Sequence, residues 1–252
     1  MKEDGNNCHI SKRFEMLREA TLEDLQTSRT LQTLLQQDKL TNKIISYIDA
    51  RLDRRERLCD LGCGCGFIPY FIGHCLCFKE TYGVDINDER IFIASKRLMR
   101  VYKVDLETDK LPFPERFFDL VTSFGVLEHL RFFDNALMES YRILDDEGLL
   151  LVSIPNLADW VNRLKLFLGL QPHGVVVSKM ANGGIDHIHT CTLRTLENLL
   201  YRYGFRPLKA YGARAVFRSN RLLEILDYAF SKIPSTSASF FIICEKNRNS
   251  TS

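Results

Sequence analysis

The stretch Leu58-Cys59-Asp60-Leu61-Gly62-Cys63-Gly64-Cys65-Gly66 runs a short apolar strand straight into three glycines at alternate positions. No other segment restricts the fold as strongly. Glycine tolerates positive φ and carries no Cβ, so such a turn is tight and lets its N–H groups approach a nucleotide-like ligand. Phe67 to Phe78 then reads as a helix, and strand, turn and helix form the first half of a βαβ unit. A strand-to-helix turn with no ligand would use the same glycines, so the elements that follow must decide.

Those elements repeat the pattern. Glu80 to Asp85 reads as a second strand ending in an acid, 19 positions after Gly66. In doubly wound folds a carboxylate at that point accepts ribose hydroxyls. The competing role, a helix cap, is better filled by Asn87 or Asp88 ahead of a helix Glu89 to Met99. A third strand, Val101 to Val104, ends at Asp105-Leu106, where a solvated loop aspartate is the plain alternative. A fourth, Phe117 to Phe124, leads into Gly125-Val126-Leu127-Glu128-His129-Leu130. A helix Phe132 to Leu144, a turn Asp145 to Gly148 and a fifth strand Gly148 to Ile154 follow. Phe205 to Gly212, Asn220 to Ser231 and Ala238 to Lys246 read as strand, helix and strand, which brings the strands to seven. The expected class is α/β: a doubly wound, mostly parallel seven-stranded sheet with helices on both faces and ligands at the carboxyl ends of its strands. Gly62 to Gly66, Asp85, Asp105 and Phe124 to His129 all fall at such ends.

The spacing Asp60-x-Gly62-x-Gly64-x-Gly66 places the third glycine one residue earlier than the dinucleotide fingerprint does. In this form it resembles motif I of the class I S-adenosylmethionine-dependent methyltransferases. The run Phe118-Asp119-Leu120-Val121 followed by Val126-Leu127-Glu128-His129 is similar to the post-strand segment of the group that includes ubiquinone-biosynthesis, small-molecule and sugar methyltransferases. The resemblance implies a Rossmann-like methyltransferase fold with an antiparallel C-terminal strand. It implies S-adenosyl-L-methionine as cofactor, S-adenosyl-L-homocysteine as product, and methyl transfer to an O, N or C nucleophile of a small or medium-sized acceptor. By the same resemblance Asp60, Gly62, Cys63, Gly64, Gly66 and Ile86 line the cofactor, Asp85 holds its ribose, and Asp105 and Leu106 read the adenine. Ser123 and Phe124 would flank its methionine end, while Glu128 and His129 face the acceptor. His129 is the first candidate for a general base, since imidazole accepts a proton near neutral pH; a histidine that only packs at a helix start is the alternative. One subgroup holds a divalent ion with acids and a histidine at this place. Glu128 and His129 match part of that set, but Ser123-Phe124-Gly125 lacks the further acid, and no metal is expected.

Pro155-Asn156 opens an insertion over 155–191, with an apolar helix Leu157 to Leu168 and a loop Gly169 to Thr190 carrying His173, Asp186, His187 and His189. Loops of this length are commonly lids or binding loops. Two histidines with Asp186 or Cys191 make an incomplete metal set. A His-x-His-Thr segment before a helix Leu193 to Tyr203, capped by Thr192, resembles the acceptor side of the same methyltransferase group, so His187 and His189 are read as substrate contacts. Residues 10–51 are helical by pattern and either close the cofactor entrance or simply extend the packing or form a dimer contact. The run Arg51 to Arg57, mixed in sign, reads as a solvated helix end.

The 252 residues, 45% of them hydrophobic, suffice for one α/β domain over 1–252 with a 1–51 helical extension. A net charge of +2 carries no nucleic-acid signature. No run has the length and apolarity of a membrane span, and the first 30 residues hold no signal-like apolar core, so a cytoplasmic protein is expected. The eight cysteines include no C-x-x-C pair and are read as reduced, small and mostly buried. Two other classes remain in view: a non-catalytic module of the same fold that binds a nucleoside or a partner, and an NAD-dependent oxidoreductase, which the glycine spacing disfavours.

Overall fold

The computed structural model describes residues 33, 34, 36–174, 189–215 and 221–247. The expected helices before residue 33 and the residues Asp186 and His187 lie outside these. The elements in chain order are α1 (Asp38–Asp49), β1 (Arg57–Leu61), α2 (Phe67–Cys75), β2 (Glu80–Asp85), α3 (Asp88–Ala94), β3 (Arg100–Lys103), β4 (Phe118–Phe124), α4 (Asp134–Ile143), β5 (Leu144–Pro155), α5 (Trp160–Phe167), α6 (Leu193–Arg202), β6 (Phe205–Ala213), α7 (Arg221–Ser231) and β7 (Ser239–Lys246). One-turn 3₁₀ helices occupy Leu127–His129 and Pro234–Thr236.

The seven strands form one sheet in the order β3-β2-β1-β4-β5-β7-β6. Pairs from β3 through β5 are parallel, and β7 runs antiparallel to both its neighbours. This is the Rossmann-like arrangement expected, with the chain reversing its direction of winding at β1/β4, where ligands of such sheets bind.

Strand periodicity divides the core. Val121, Leu150 and Ile242 face one layer with Leu137 of α4 and Leu196 of α6, whereas Leu120, Leu151 and Phe241 face the other with Ile48 of α1 and Phe71 of α2. Every residue of β4 is buried, as a central strand covered on both faces requires. In α1 the buried positions Thr41, Ile44, Ile45 and Ile48 recur at helical spacing and seat the helix on the sheet.

Three expectations are corrected. Asp145 to Gly148 is a bulge inside β5 rather than a turn before it: the register passes from Phe118↔Leu144 to Leu120↔Leu149. Gly148 is what permits this, because a Cβ there would stand 2.7 Å from Leu144 Cδ1 and 3.0 Å from the Asp119 carbonyl. The helix of the insertion begins only at Trp160, where Asp159 caps it by accepting the Asn162 N–H at 2.6 Å. The run after α1 is not a solvated helix end. Asp119, buried in β4, accepts the N–H groups of Glu56 (2.7 Å) and Arg57 (3.0 Å) and pairs with the Arg54 guanidinium, which also reaches Asp145. One carboxylate thus fixes the entry into β1. Asp119→Ala is expected to cost about 2–3 kcal/mol, because two amide donors and a cation lose their acceptor; the midpoint of urea unfolding measures it, and an unchanged midpoint would refute the role.

Candidate active site

The carboxyl ends of β1, β2 and β4 meet around the glycine turn. Gly62, Gly64 and Gly66 all adopt positive φ, at 71°, 54° and 80°, which L side chains resist. The turn is clamped to β2: the N–H groups of Gly62 and Cys63 both donate to the Val84 carbonyl, at 2.8 and 2.9 Å. A Cβ on Gly62 would lie 2.4 Å from Val126 Cγ2, so the turn after β4 rests directly on it. At Gly64 the situation is reversed, with no atom within 4 Å of where a Cβ would stand. Open space beside the middle glycine, and close packing beside the first, is the shape of a cradle that a side chain would fill.

Asp85 sits across this turn. Its Oδ2 accepts the Gly64 N–H at 2.8 Å and its Oδ1 accepts the Asn87 N–H at 3.0 Å, while Asn87 itself caps α3 through the Arg90 N–H. A carboxylate offers about four lone-pair sites, so Asp85 keeps capacity for further donors. Beside it Ile86 is exposed.

Asp60 is buried at the end of β1 and accepts the Thr122 hydroxyl at 2.5 Å. Burial, reinforced by the nearby Asp85 carboxylate and opposed by the Thr122 bond, pushes its carboxyl up to about 8. Cys63 is buried against Gly83, and Cys65 lends its carbonyl to the Arg97 guanidinium at 2.9 Å. Burial pushes the Cys63 thiol up, and it remains a thiol. The helix α2 stops at Cys75, which leaves Cys77 exposed beyond it. Among the described residues no group of three histidine, cysteine or acidic side chains could hold a metal ion.

After β3, Asp105 shapes its own loop. Its Oδ1 accepts the Glu107 N–H and its N–H donates to Asp109 Oδ2. Leu106 is buried, with its carbonyl held by Asn135 Nδ2 at 3.0 Å. The loop is tied to the turn after β4, since Glu107 Oε1 accepts the Arg131 N–H at 2.9 Å.

At the end of β4 the sequence pair Glu128-His129 separates. His129 is exposed, whereas Glu128 is buried with its Oε2 lacking any partner among the described residues. Burial pushes the Glu128 carboxyl up to about 7. Ser123 Oγ is likewise buried without a partner among the described residues, and Phe124, expected to flank the cofactor, packs into the opposite layer against Phe241. The returning end of the insertion closes over Glu128. His189 donates its N–H to the Glu128 carbonyl at 3.1 Å and sets its ring edge-on to Phe133. Cys191 pairs with Asn156, and burial together with the Glu128 charge pushes its thiol up to about 12.

Comparison with known proteins agrees with this geometry. The model of a family described as "Methyltransferase domain" matches residues 17–210. The chain belongs to that methyltransferase family. A Mycobacterium tuberculosis protein named "Probable S-adenosylmethionine-dependent methyltransferase" is 32% identical over 97 residues, 38% of this chain and 35% of that protein. The ubiquinone/menaquinone biosynthesis C-methyltransferase of Neisseria gonorrhoeae is 36% identical over 77 residues, 29% of this chain and 31% of the relative. The chain thus spans about a third of the length of these curated relatives. In fold it is similar to a SAM-dependent methyltransferase of Archaeoglobus fulgidus, with a TM-score of 0.56 at 19% identity, covering 89% of this chain and 97% of that one. Membership in the methyltransferase family implies S-adenosyl-L-methionine as cofactor, and the residues present fit it: a glycine cradle with open space at Gly64, an acid aligned on it, and two buried polar atoms awaiting partners.

Two participants carry no motif signal: Thr122 holds Asp60, and Asn156 ties the insertion's first turn to the Ser235 and Ser237 carbonyls. Val126, the first residue of the Val-Leu-Glu-His segment, fills the space that Gly62 leaves. Only Thr122 could have been noticed in the sequence, as a polar residue inside the apolar run 117–124.

Proposed function

We propose that the chain is an S-adenosylmethionine-dependent methyltransferase acting on an O, N or C nucleophile of a small or medium-sized acceptor, with Glu128 rather than His129 as its proton acceptor. One observation supports this most directly: Glu128 is buried, has no partner at Oε2 among the described residues and has its carboxyl pushed up to about 7 by burial, at the strand end where the acceptor is expected.

When bound, S-adenosyl-L-methionine supplies a methyl group already activated on a sulfonium. The chain's own work is alignment and proton removal. Gly62, Cys63, Gly64 and Gly66 would hold the nucleoside at the turn, with Asp60 at the end of β1 behind it. Asp85 would receive the ribose hydroxyls with Ile86 exposed beside it, and Asp105 and the Leu106 backbone would read the adenine edge. Ser123 Oγ would border the methionine end, while Phe124, expected there too, is packed against Phe241. Glu128, ionised in part at neutral pH, takes the acceptor's proton, and a buried carboxylate is a stronger base than a solvated one. His129 and His189 meet the acceptor where it enters.

Calorimetry tests the nucleoside part. S-adenosyl-L-homocysteine should bind and NAD should not. Asp85→Ala should weaken binding about thirtyfold, the equivalent of ~2 kcal/mol of charge-assisted hydrogen bonding. No binding of S-adenosyl-L-methionine or S-adenosyl-L-homocysteine would refute the proposal, and binding without turnover across an acceptor panel would favour the non-catalytic module.

A further inference from the structure

The helices α5 and α7 form a pair that the methyl-transfer reading leaves unused. The Trp160 ring stacks on Phe230 with centroids 5.3 Å apart and planes at 15°, and its Nε1 donates to Asp227 Oδ1 at 2.9 Å. Arg163 extends the union to the Ser235 carbonyl. Pro155, at the end of β5, and Ala213, at the end of β6, both stand opposite Ser239 of β7. Both helices therefore leave the sheet at its site end.

Their outer surface is apolar to an unusual degree. Leu166, Phe167, Leu168 and Leu170 run together, and each is more than half exposed, Phe167 at 86%. Ile225 and Ile233 are likewise more than half exposed on the second helix and just past it. An apolar patch of this extent marks an interaction surface.

Charge selects its occupant. The same two segments carry Arg163, Lys165, Arg221 and Lys232, and Glu224 is the one acid exposed among 159–174 and 221–233. The other two acids there are buried and engaged: Asp159 by the Asn162 N–H, Asp227 by Trp160 and the Ala215 N–H. Two copies joined through this face would set like charges against each other, because an isologous contact brings the same patch to itself. An anionic lipid surface accepts both the apolar and the basic side chains.

We propose that the α5/α7 pair docks on an anionic membrane surface, with Leu166 to Leu170 seated among the headgroups and the acceptor side of the site turned toward the bilayer. No helix among the described residues is long and apolar enough to cross a membrane, so the contact is interfacial.

Flotation of the full chain with vesicles tests this, and needs no cofactor or acceptor. The protein should float with phosphatidylglycerol-containing vesicles, less with pure phosphatidylcholine, and less as salt rises. The double variant Phe167→Glu/Leu170→Glu should lose at least about tenfold in vesicle binding, with an unchanged Tm because both side chains already face solvent. Lys165→Ala/Lys232→Ala should weaken binding to anionic vesicles and leave the phosphatidylcholine value unaltered. Absence of flotation with either vesicle, or equal flotation of the Phe167/Leu170 variant, would overturn the proposal. So would a dimer in sedimentation that this variant dissolves without any vesicle binding, which would give the face to a second copy of the chain.

Discussion

Glu128→Gln is expected to lower turnover by about 10²- to 10⁴-fold, the range that a positioned general base contributes, and to raise stability above neutral pH. The two effects share one cause. Burial disfavours the charged form and moves the carboxyl from its ordinary value to about 7, so the native state binds a proton that the unfolded chain has already released. Stability from this group is complete below the unfolded value, near 4.5, and is lost as pH rises through about 7, because in that interval the unfolded state holds fewer protons. The loss amounts to at most ~3 kcal/mol. The glutamine variant has no charge to bury. Its Tm should match wild type at pH 4 within error and exceed it at pH 8, which thermal unfolding across pH reads without any acceptor. In turnover, wild-type kcat should rise with pH to a plateau above about 7 and the variant should lack that ionisation. A wild-type-like kcat in Glu128→Gln would return the base to His129; equal stability profiles would mean that the carboxylate finds a partner.

Gly62→Ala is the largest expected disturbance of the fold itself. At φ +71° an L side chain pays about 1–2 kcal/mol, and its Cβ would stand 2.4 Å from Val126 Cγ2 and 2.9 Å from Cγ1. Overpacking of that kind adds about 1–3 kcal/mol. The sum, ~3 kcal/mol, corresponds to a fall in Tm of about 6–12 °C for a chain of this size. Gly64→Ala is its contrast. There the left-handed backbone is strained but no atom lies within 4 Å of the added methyl, so Tm should fall by about 2–8 °C while nucleoside binding is lost, since the methyl fills the cradle. Val126→Ala should restore part of the Gly62→Ala loss. Calorimetric scanning of the three proteins distinguishes these cases, and equal Tm values for Gly62→Ala and Gly64→Ala would refute the packing account.

Much of the sheet was legible because its signals are local. Strand ends at Asp85 and Phe124, the caps Asn87 and Thr192, and the apolar run of β7 depend on residues within a few positions of one another. The bulge at Asp145 to Gly148 was not, because an Asp-Asp-Glu-Gly sequence is ordinary turn chemistry, and only the neighbouring strand, with the Asp119 carbonyl against Gly148, makes it part of β5. The pairing of Arg54 is hidden from the sequence for a similar reason. Its partner is 65 residues away in β4, and a mixed charge run names no partner.

The candidate site divides the same way. The sequence by itself determined the glycine turn, the acids that follow each strand, the family they resemble and the order of the elements, since each is a matter of spacing along the chain. Tertiary structure alone decided which of two adjacent residues, Glu128 or His129, faces inward. A one-turn 3₁₀ helix at Leu127–His129, resting on Gly62 through Val126 and covered by His189 and Cys191, turns the carboxylate into the core and the imidazole to solvent. Contacts between segments sixty residues apart set that rotation, and neither residue's chemistry encodes it.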